Sequence, residues 1–358
     1  MPDNVDAIRW HIEEVDNQIL DLIGQRMRLA RQMGQFKMGK AMTVRNLRVE
    51  DQVIARYASR AKEAEISDEA ARRIAAILIH ESVDMQMRMP KVAEPKRVTV
   101  VGGSGKMGAW VSRYFAERGH KVMVQDIVSS TKFPFENDLR RAVMGADVIV
   151  LATPIIRTPE MLESVLALKP KGLVMDITSV KAEVAPIISG AVQKGAKICS
   201  IHPMFGPDTQ LLLEHNMVLC DCGSEKGLEE AKALFEGVGL DVRVISLEEH
   251  DALMAYVLGL SHAINISFFS ALAKSGRAHR ELHDVASTTF DRQDRTARGV
   301  ANENPELYYE IQHVNPHTQE VLDLLARSLD EIREAAKEND SERFVSIMEQ
   351  GRKYFGGE

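Results

Sequence analysis

Several short stretches of this chain gather the residue types that hydride chemistry needs. Gly103-x-Gly105-x-x-Gly108, with Lys106 and Met107 inside it, follows the apolar run Val98–Val101. Glycines there permit a tight turn and close approach of backbone to a pyrophosphate, which the N-terminus of the next helix attracts through its dipole. Asp126 ends the following apolar run, at the distance where a carboxylate meets the adenosine ribose. A carboxylate repels a 2′-phosphate, so NAD is the expected cofactor, with nearby Lys132 keeping NADP open. Ala152-Thr153-Pro154, Asp176-Ile177-Thr178-Ser179-Val180-Lys181 and His202-Pro203-Met204-Phe205-Gly206-Pro207-Asp208 each terminate a later apolar run. Ligands of open α/β sheets bind beyond the carboxyl ends of the strands. That rule puts Thr153 and Pro154 beside the cofactor and His202 near the nicotinamide. A histidine so placed is a natural base for a hydroxyl proton as hydride leaves. Position alone leaves a merely structural histidine as an equal alternative.

An alternation of strands and helices has to hold these stretches. Val98–Val101, Lys121–Gln125, Val148–Ala152, Leu173–Asp176, Ala196–Ile201 and Met217–Leu219 read as strands with helices between them. That is the pattern of a doubly wound parallel sheet, an α/β Rossmann domain expected over residues 97–247. Beyond about Glu248 the strands stop. Helices are expected at Asp251–Ser275, Arg280–Ala301, Glu306–Asn315, Thr318–Lys337 and Ser341–Tyr354, an all-α C-terminal substrate and dimerisation domain over residues 248–358.

The nearly one hundred residues ahead of the glycine turn have their own pattern. Ile8, Ile12, Val15, Ile19, Leu22 and Ile23 recur at spacings of three and four, predicting one helix over about residues 5–40. A helix of that length is roughly 50 Å long, too long for a small domain to cover. Helices at about Asn46–Glu65 and Ser67–Arg88, with Ser67 as N-cap, complete an all-α domain over residues 1–88, read as an intertwined helical dimer. Met89–Lys96, with two prolines, reads as a linker.

Composition narrows the classes. The 358 residues are 45% hydrophobic with net charge −7, which suits two or three globular domains and lacks the basic blocks of a nucleic-acid binder. The sequence has no uninterrupted apolar run of bilayer length, and acidic, polar residues 1–6 do not look like a secretory signal, so a cytoplasmic protein is expected. Cys220-x-Cys222 and Cys199 lack metal-site spacing and are read as packing thiols, with no metal.

Taken together, V-V-G-G-S-G-K-M-G, D-I-T-S-V-K, I-H-P-M-F-G-P-D and the later Glu249-His250-Asp251 resemble the prephenate dehydrogenases over about residues 97–355. The first helices resemble the all-helical chorismate mutases through Arg9, Arg26, Lys37, Ser82 and Gln86. The whole chain is similar to the bifunctional chorismate mutase/prephenate dehydrogenases of tyrosine biosynthesis. The resemblance implies that His202 takes the ring hydroxyl proton while hydride passes to NAD⁺, with Ser179 and Lys181 assisting. It implies a substrate-side role for His262. It also implies a helix arginine clamping a carboxylate; the matching position is Gly299, so Arg298 is the candidate and Arg295 the runner-up.

On the mutase side, the resemblance implies that Lys37 and Gln86 bind the breaking ether oxygen and that Glu50 helps near the ring. Helix geometry bears on the cations. Arg26 and Lys37 fall within roughly 20° of each other on the long helix, whereas Arg9 lies roughly 80° away and about 40 Å from Lys37. Arg9 therefore cannot serve the same pocket in its own chain; the resemblance implies that it reaches into the partner's site, and a homodimer is expected. Ser82 and Gln86, one turn apart, share a face. Asn46 and Val49 stand where the family commonly has Asp and Arg. They motivate an alternative in which the first domain is a non-catalytic dimerisation or effector-sensing module. A dinucleotide-binding sensor without turnover is a third reading, against which His202 and Lys181 speak.

Overall fold

The structure is a computed structural model that describes residues 4–39, 44–87, 89, 94–129, 132–210, 212, 215–236 and 239–356. Residues 90–93, half of the expected linker, lie outside the described residues.

The chain opens with α1 (Val5–Gly39), α2 (Leu47–Arg60) and α3 (Asp68–Met87). Asn46 caps α2, its side chain accepting from Val49 N–H at 3.3 Å. Ser67 Oγ accepts from Ala70 N–H at the start of α3, as a cap should. Helix α3 packs on both α1 and α2. Gly34 of α1 allows the approach, since a Cβ there would stand 2.8 Å from Gln86 Cγ. The first half of α1 has no such cover. Ile8, Ile12, Val15 and Ile19 are each about half exposed.

An eight-stranded sheet follows. Its elements are β1 (Arg97–Val101), α4 (Lys106–Glu117), β2 (Lys121–Gln125), β3 (Phe135–Glu136), α5 (Leu139–Val143), β4 (Val148–Leu151), α6 (Thr158–Ala167), β5 (Leu173–Asp176), α7 (Ala185–Gln193), β6 (Ile198–Pro203), β7 (Asn216–Asp221), α8 (Glu225–Phe235) and β8 (Asp241–Ser246). The order is β3-β2-β1-β4-β5-β6-β7-β8. Strands β1, β2, β4, β5 and β6 pair in parallel and are buried along nearly their whole length, as central strands covered on both faces must be. The expected wholly parallel sheet is corrected at one edge, because β7 pairs antiparallel to β6 with His202 opposite Val218. That pairing carries β6 two residues past its expected end. β3 and β8 were not expected as strands.

The C-terminal helices are α9 (Leu247–Met254), a π-helical turn (Ala255–Leu260), α10 (Ser261–Lys274), α11 (His279–His283), α12 (Thr288–Ala301), α13 (Pro305–Val314), α14 (Thr318–Lys337) and α15 (Ser341–Tyr354). The single helix expected over Arg280–Ala301 is two, because Ser287 caps α12 by accepting from Phe290 N–H. No uninterrupted apolar run of bilayer length was expected, and one helix reaches that length on average composition despite Ser261, His262 and Asn265 within it. Leu247–Lys274, 28 residues, is long and apolar enough by length and composition alone. The π turn interrupts it, and buried Asn265 bonds both Ser261 and Gln293 in its midst. The π turn packs on α14 and α10 on α12.

The chain forms two compact units. One comprises residues 1–153, 161–177 and 191–245, the other residues 154–160, 178–190 and 246–358. In the first unit the sheet core gathers Val98, Val100, Val150, Met175, Ile201 and Leu219 under Trp110, Tyr114 and Phe115 of α4.

Candidate functional site

In the helical region, α1 and α3 bring Arg26 and Ser82 together, with Gln86 one turn farther along α3. Arg26 is half-buried and donates to Ser82 Oγ and to the Leu78 carbonyl. Burial lowers its guanidinium from the ordinary value; Tyr57 opposes this and Arg56 adds to it. Gln86 is buried and its Oε1 has no hydrogen-bond partner among the described residues. A buried amide oxygen left this way marks a place where a ligand or water belongs. Lys37 donates to the Val44 carbonyl in the α1–α2 connection. Glu50 pairs with Arg45 at 3.3 Å. Arg9 stands apart, its side chain 75% exposed and paired only loosely with Asp6 at 3.4 Å. Asn46 is committed to the cap described above and Val49 is exposed. Arg56 and Tyr57, whose charges bear on Arg26, were missed by sequence reasoning. Their α2 periodicity gave no sign of which face would turn toward α1.

The dinucleotide turn has the geometry that a pyrophosphate needs. Gly102 has φ +80°, and a Cβ at Gly108 would stand 2.1 Å from the Gly102 carbonyl oxygen, so neither position admits a side chain without rebuilding the turn. Gly105 is the N-cap of α4 and offers no side-chain cap, leaving the first helical N–H groups, those of Lys106 and Met107 among them, to a ligand. Gly103 closes on Val124 of β2. Asp126 accepts from Ser104 N–H at 3.0 Å and from Ile127 N–H at 2.7 Å, which ties the carboxylate to the rim of the turn. Thr153 follows β4 in the same unit as this turn. These residues fit a dinucleotide. His202 lies on β6, also in this unit, and is 4% exposed.

The other unit holds the remaining dehydrogenase candidates. The Pro154 carbonyl accepts from Arg157 and Thr158, opening a short turn ahead of α6. Lys181 is 1% exposed. Its backbone N–H donates to the Asp251 carboxylate at 2.8 Å, and Ala182 N–H donates to the same group at 2.7 Å. Asp251 also meets buried His250 Nδ1 at 2.7 Å. Asp251 thus fixes the Thr178–Ala182 segment, half-buried Ser179 included, against α9. Lys181 Nζ reaches Thr178 Oγ1 at 3.4 Å.

The His262 ring lies tilted against Tyr308 with ring centroids 4.2 Å apart, and its buried Nδ1 has no hydrogen-bond partner among the described residues. Burial pulls its pKa down to about 4, so the ring is neutral at neutral pH. Arg298 pairs with buried Asp294 at 2.7 Å and meets His279, while Arg295 pairs with Asp291 on the exposed side. Burial alone would raise the Asp294 carboxyl, but hydrogen bonds from His279 and Arg298 outweigh it and hold it below its ordinary value. His279 was missed, having no motif around it.

Comparison with known proteins matches three family models: chorismate mutase type II over residues 8–87, the prephenate dehydrogenase nucleotide-binding domain over 118–245, and the prephenate dehydrogenase dimerization domain over 246–350. The second match begins after the glycine turn, so the reading of that turn rests on its own geometry. A T-protein of Enterobacter agglomerans is 23% identical over 98% of this chain and 92% of its own length. A probable arogenate/prephenate dehydrogenase of Methanocaldococcus jannaschii is 30% identical over 73% of this chain, but the match spans only 61% of that relative. The fold is that of the Aquifex aeolicus prephenate dehydrogenase solved with hydroxyphenyl propionate and NAD⁺, with TM-score 0.60 and 20% identity over 74% of this chain and 99% of that one. The chain belongs to the prephenate dehydrogenase family and carries a type II chorismate mutase domain ahead of it, the arrangement of the bifunctional chorismate mutase/prephenate dehydrogenases.

Proposed function

We propose that the chain performs two consecutive steps of tyrosine biosynthesis. Its first domain rearranges chorismate to prephenate, and the remainder oxidatively decarboxylates prephenate to 4-hydroxyphenylpyruvate with NAD⁺. The observation that carries this reading is that half-buried Arg26 and buried Ser82 and Gln86 precede a complete dinucleotide turn in one chain. The product of the first chemistry is the substrate of the second.

The rearrangement is pericyclic, so the protein has only to hold a dianion in a compact conformer and stabilise charge on the breaking ether oxygen. Arg26 holds a carboxylate, Lys37 and Gln86 serve the ether oxygen, and Glu50 sits near the ring. Arg9 reaches the site of a partner chain. In the second step His202 takes the ring hydroxyl proton, with Ser179 hydrogen-bonding near that hydroxyl and Lys181 assisting. Bound NAD⁺ supplies the hydride acceptor. The pair from the broken carbon–carboxylate bond enters the ring, which becomes aromatic. Neutral His262 lies on the substrate side, and Arg298, or Arg295 one turn earlier, holds the side-chain carboxylate. Asp126 favours NAD over NADP by charge repulsion of a 2′-phosphate. A homodimer is supported by the half-exposed apolar residues of α1 and by the dimerization-domain match. A cytoplasmic setting suits three cysteines that form no disulfide.

Chorismate and NAD⁺ supplied together to the purified protein test the reading. Chorismate should disappear without NAD⁺, and NADH should form from prephenate. Stable chorismate would reduce the first domain to a non-catalytic module. Absent NADH would overturn the second step. Arogenate offered in place of prephenate decides which of the two is preferred.

A further inference from the structure

Helix α3 has a second working side. Ser82 and Gln86 face the mutase residues, and Asp84 sits between them, about 200° around the helix from each. Its carboxylate accepts from Leu212 N–H at 3.2 Å, across 128 positions of sequence. Both residues are 4% exposed. Leu212 belongs to the β6–β7 connection, of which Met204–Gln210, Leu212 and His215 are described, and its side chain enters the core of the sheet. The same connection is held from α4. Trp110 Nε1 donates to the Thr209 carbonyl at 3.0 Å, and its ring meets Phe205 edge-on at 4.9 Å. Arg113 donates to the Pro207 carbonyl at 3.4 Å. A cavity of about 1000 Å³, lined among others by Arg31, Glu81, Asp84 and Gln210, lies beside the tie. The carboxylate bond is thus the tie from α3, beside the restraints that α4 places on the same connection.

We propose that Asp84 is a positioning residue for the dehydrogenase, supplied by a helix of the mutase domain. Resting on the two-step reading above, it holds the segment that follows His202 and braces the cofactor helix α4. A charge-assisted hydrogen bond to a buried N–H is what sets that segment, and its removal strands the Leu212 N–H without a partner.

Three measurements on the full-length protein test this. Asp84→Ala should lower kcat/KM for NADH formation from prephenate about tenfold and leave chorismate turnover within about twofold, since Asp84 turns away from Ser82 and Gln86. Asp84→Asn keeps an acceptor oxygen and should recover most of the loss. The chain has two tryptophans, Trp10 and Trp110. In a Trp10→Phe background, Asp84→Ala should therefore shift Trp110 emission to the red and speed its quenching by acrylamide, with no substrate present. Unchanged NADH formation together with unchanged Trp110 emission would overturn the proposal. So would an equal fall of both activities in a protein of native circular dichroism, which would make Asp84 a support of α3 alone. If the unsubstituted protein forms no NADH from prephenate, the two-step reading fails, while Trp110 emission still decides the tie.

Discussion

Asp251 holds two backbone N–H groups and one histidine, so the buried Lys181 side chain is aimed by its main chain. The catalytic assignments predict reciprocal losses. His202→Asn should stop NADH formation while chorismate loss continues, and Arg26→Ala should do the reverse, each read in the same assay mixture. His262 adds a pH dependence of stability. Its pKa in the folded chain is pulled down by burial to about 4, below the ordinary histidine value, so between those two limits the unfolded chain binds the extra proton. Its contribution is complete above the ordinary value and is lost as pH falls toward 4. His262→Gln should therefore lose less melting temperature than the unsubstituted protein when pH is taken from 7 to 5. An equal drop in both would remove His262 from the acid response. His120, also lowered by burial and then by Lys96 and Arg118, remains in both proteins and accounts for a residual slope.

Helices α1 and α3 meet where Gly34 lets them touch. Gly34→Val would drive methyls into Gln86 and Met89, and steady-state assays should show chorismate turnover falling at least tenfold, a loss in keeping with overpacking of about 1–3 kcal/mol, with NADH formation from prephenate retained. Gly34 carried no signal in the sequence, because a single glycine in a helix does not say which neighbour it admits. The glycine turn after β1 was legible for the opposite reason: its constraint is local, and strand, turn and helix all lie within one short stretch. β2 and β5 were legible to the residue from their apolar runs. β8 was not, since Asp241, Arg243 and Ser246 interrupt its pattern and none of its residues is fully buried. The direction of β7 was not legible either, because alternation is the same in parallel and antiparallel strands. The break before α12 was readable in principle from Ser287, whose capping bond ends the expected long helix. The candidate site divides the same way. Residues in contiguous motifs could be proposed from the sequence, while Arg56, Asp84 and His279 depend on contacts between distant segments.

At the scale of the whole molecule, exposed Arg9 predicts shared mutase sites. A chain bearing Arg9→Ala and a chain bearing Arg26→Ala should each have little chorismate activity alone. Unfolded and refolded together, they should recover about a quarter of normal activity, since half of a statistical mixture is mixed dimer and each mixed dimer rebuilds one of two sites. No recovery in a mixture shown by sedimentation to be dimeric would place Arg9 outside the partner's site. The first half of α1 has a further consequence during synthesis. Ile8, Ile12, Val15 and Ile19 are made before α3, which packs on α1 around Gly34 and leaves all four about half exposed. A stripe left open in this way waits for a second chain to cover it, so maturation of the N-terminal domain should quicken as protein concentration rises, which refolding at a series of concentrations checks.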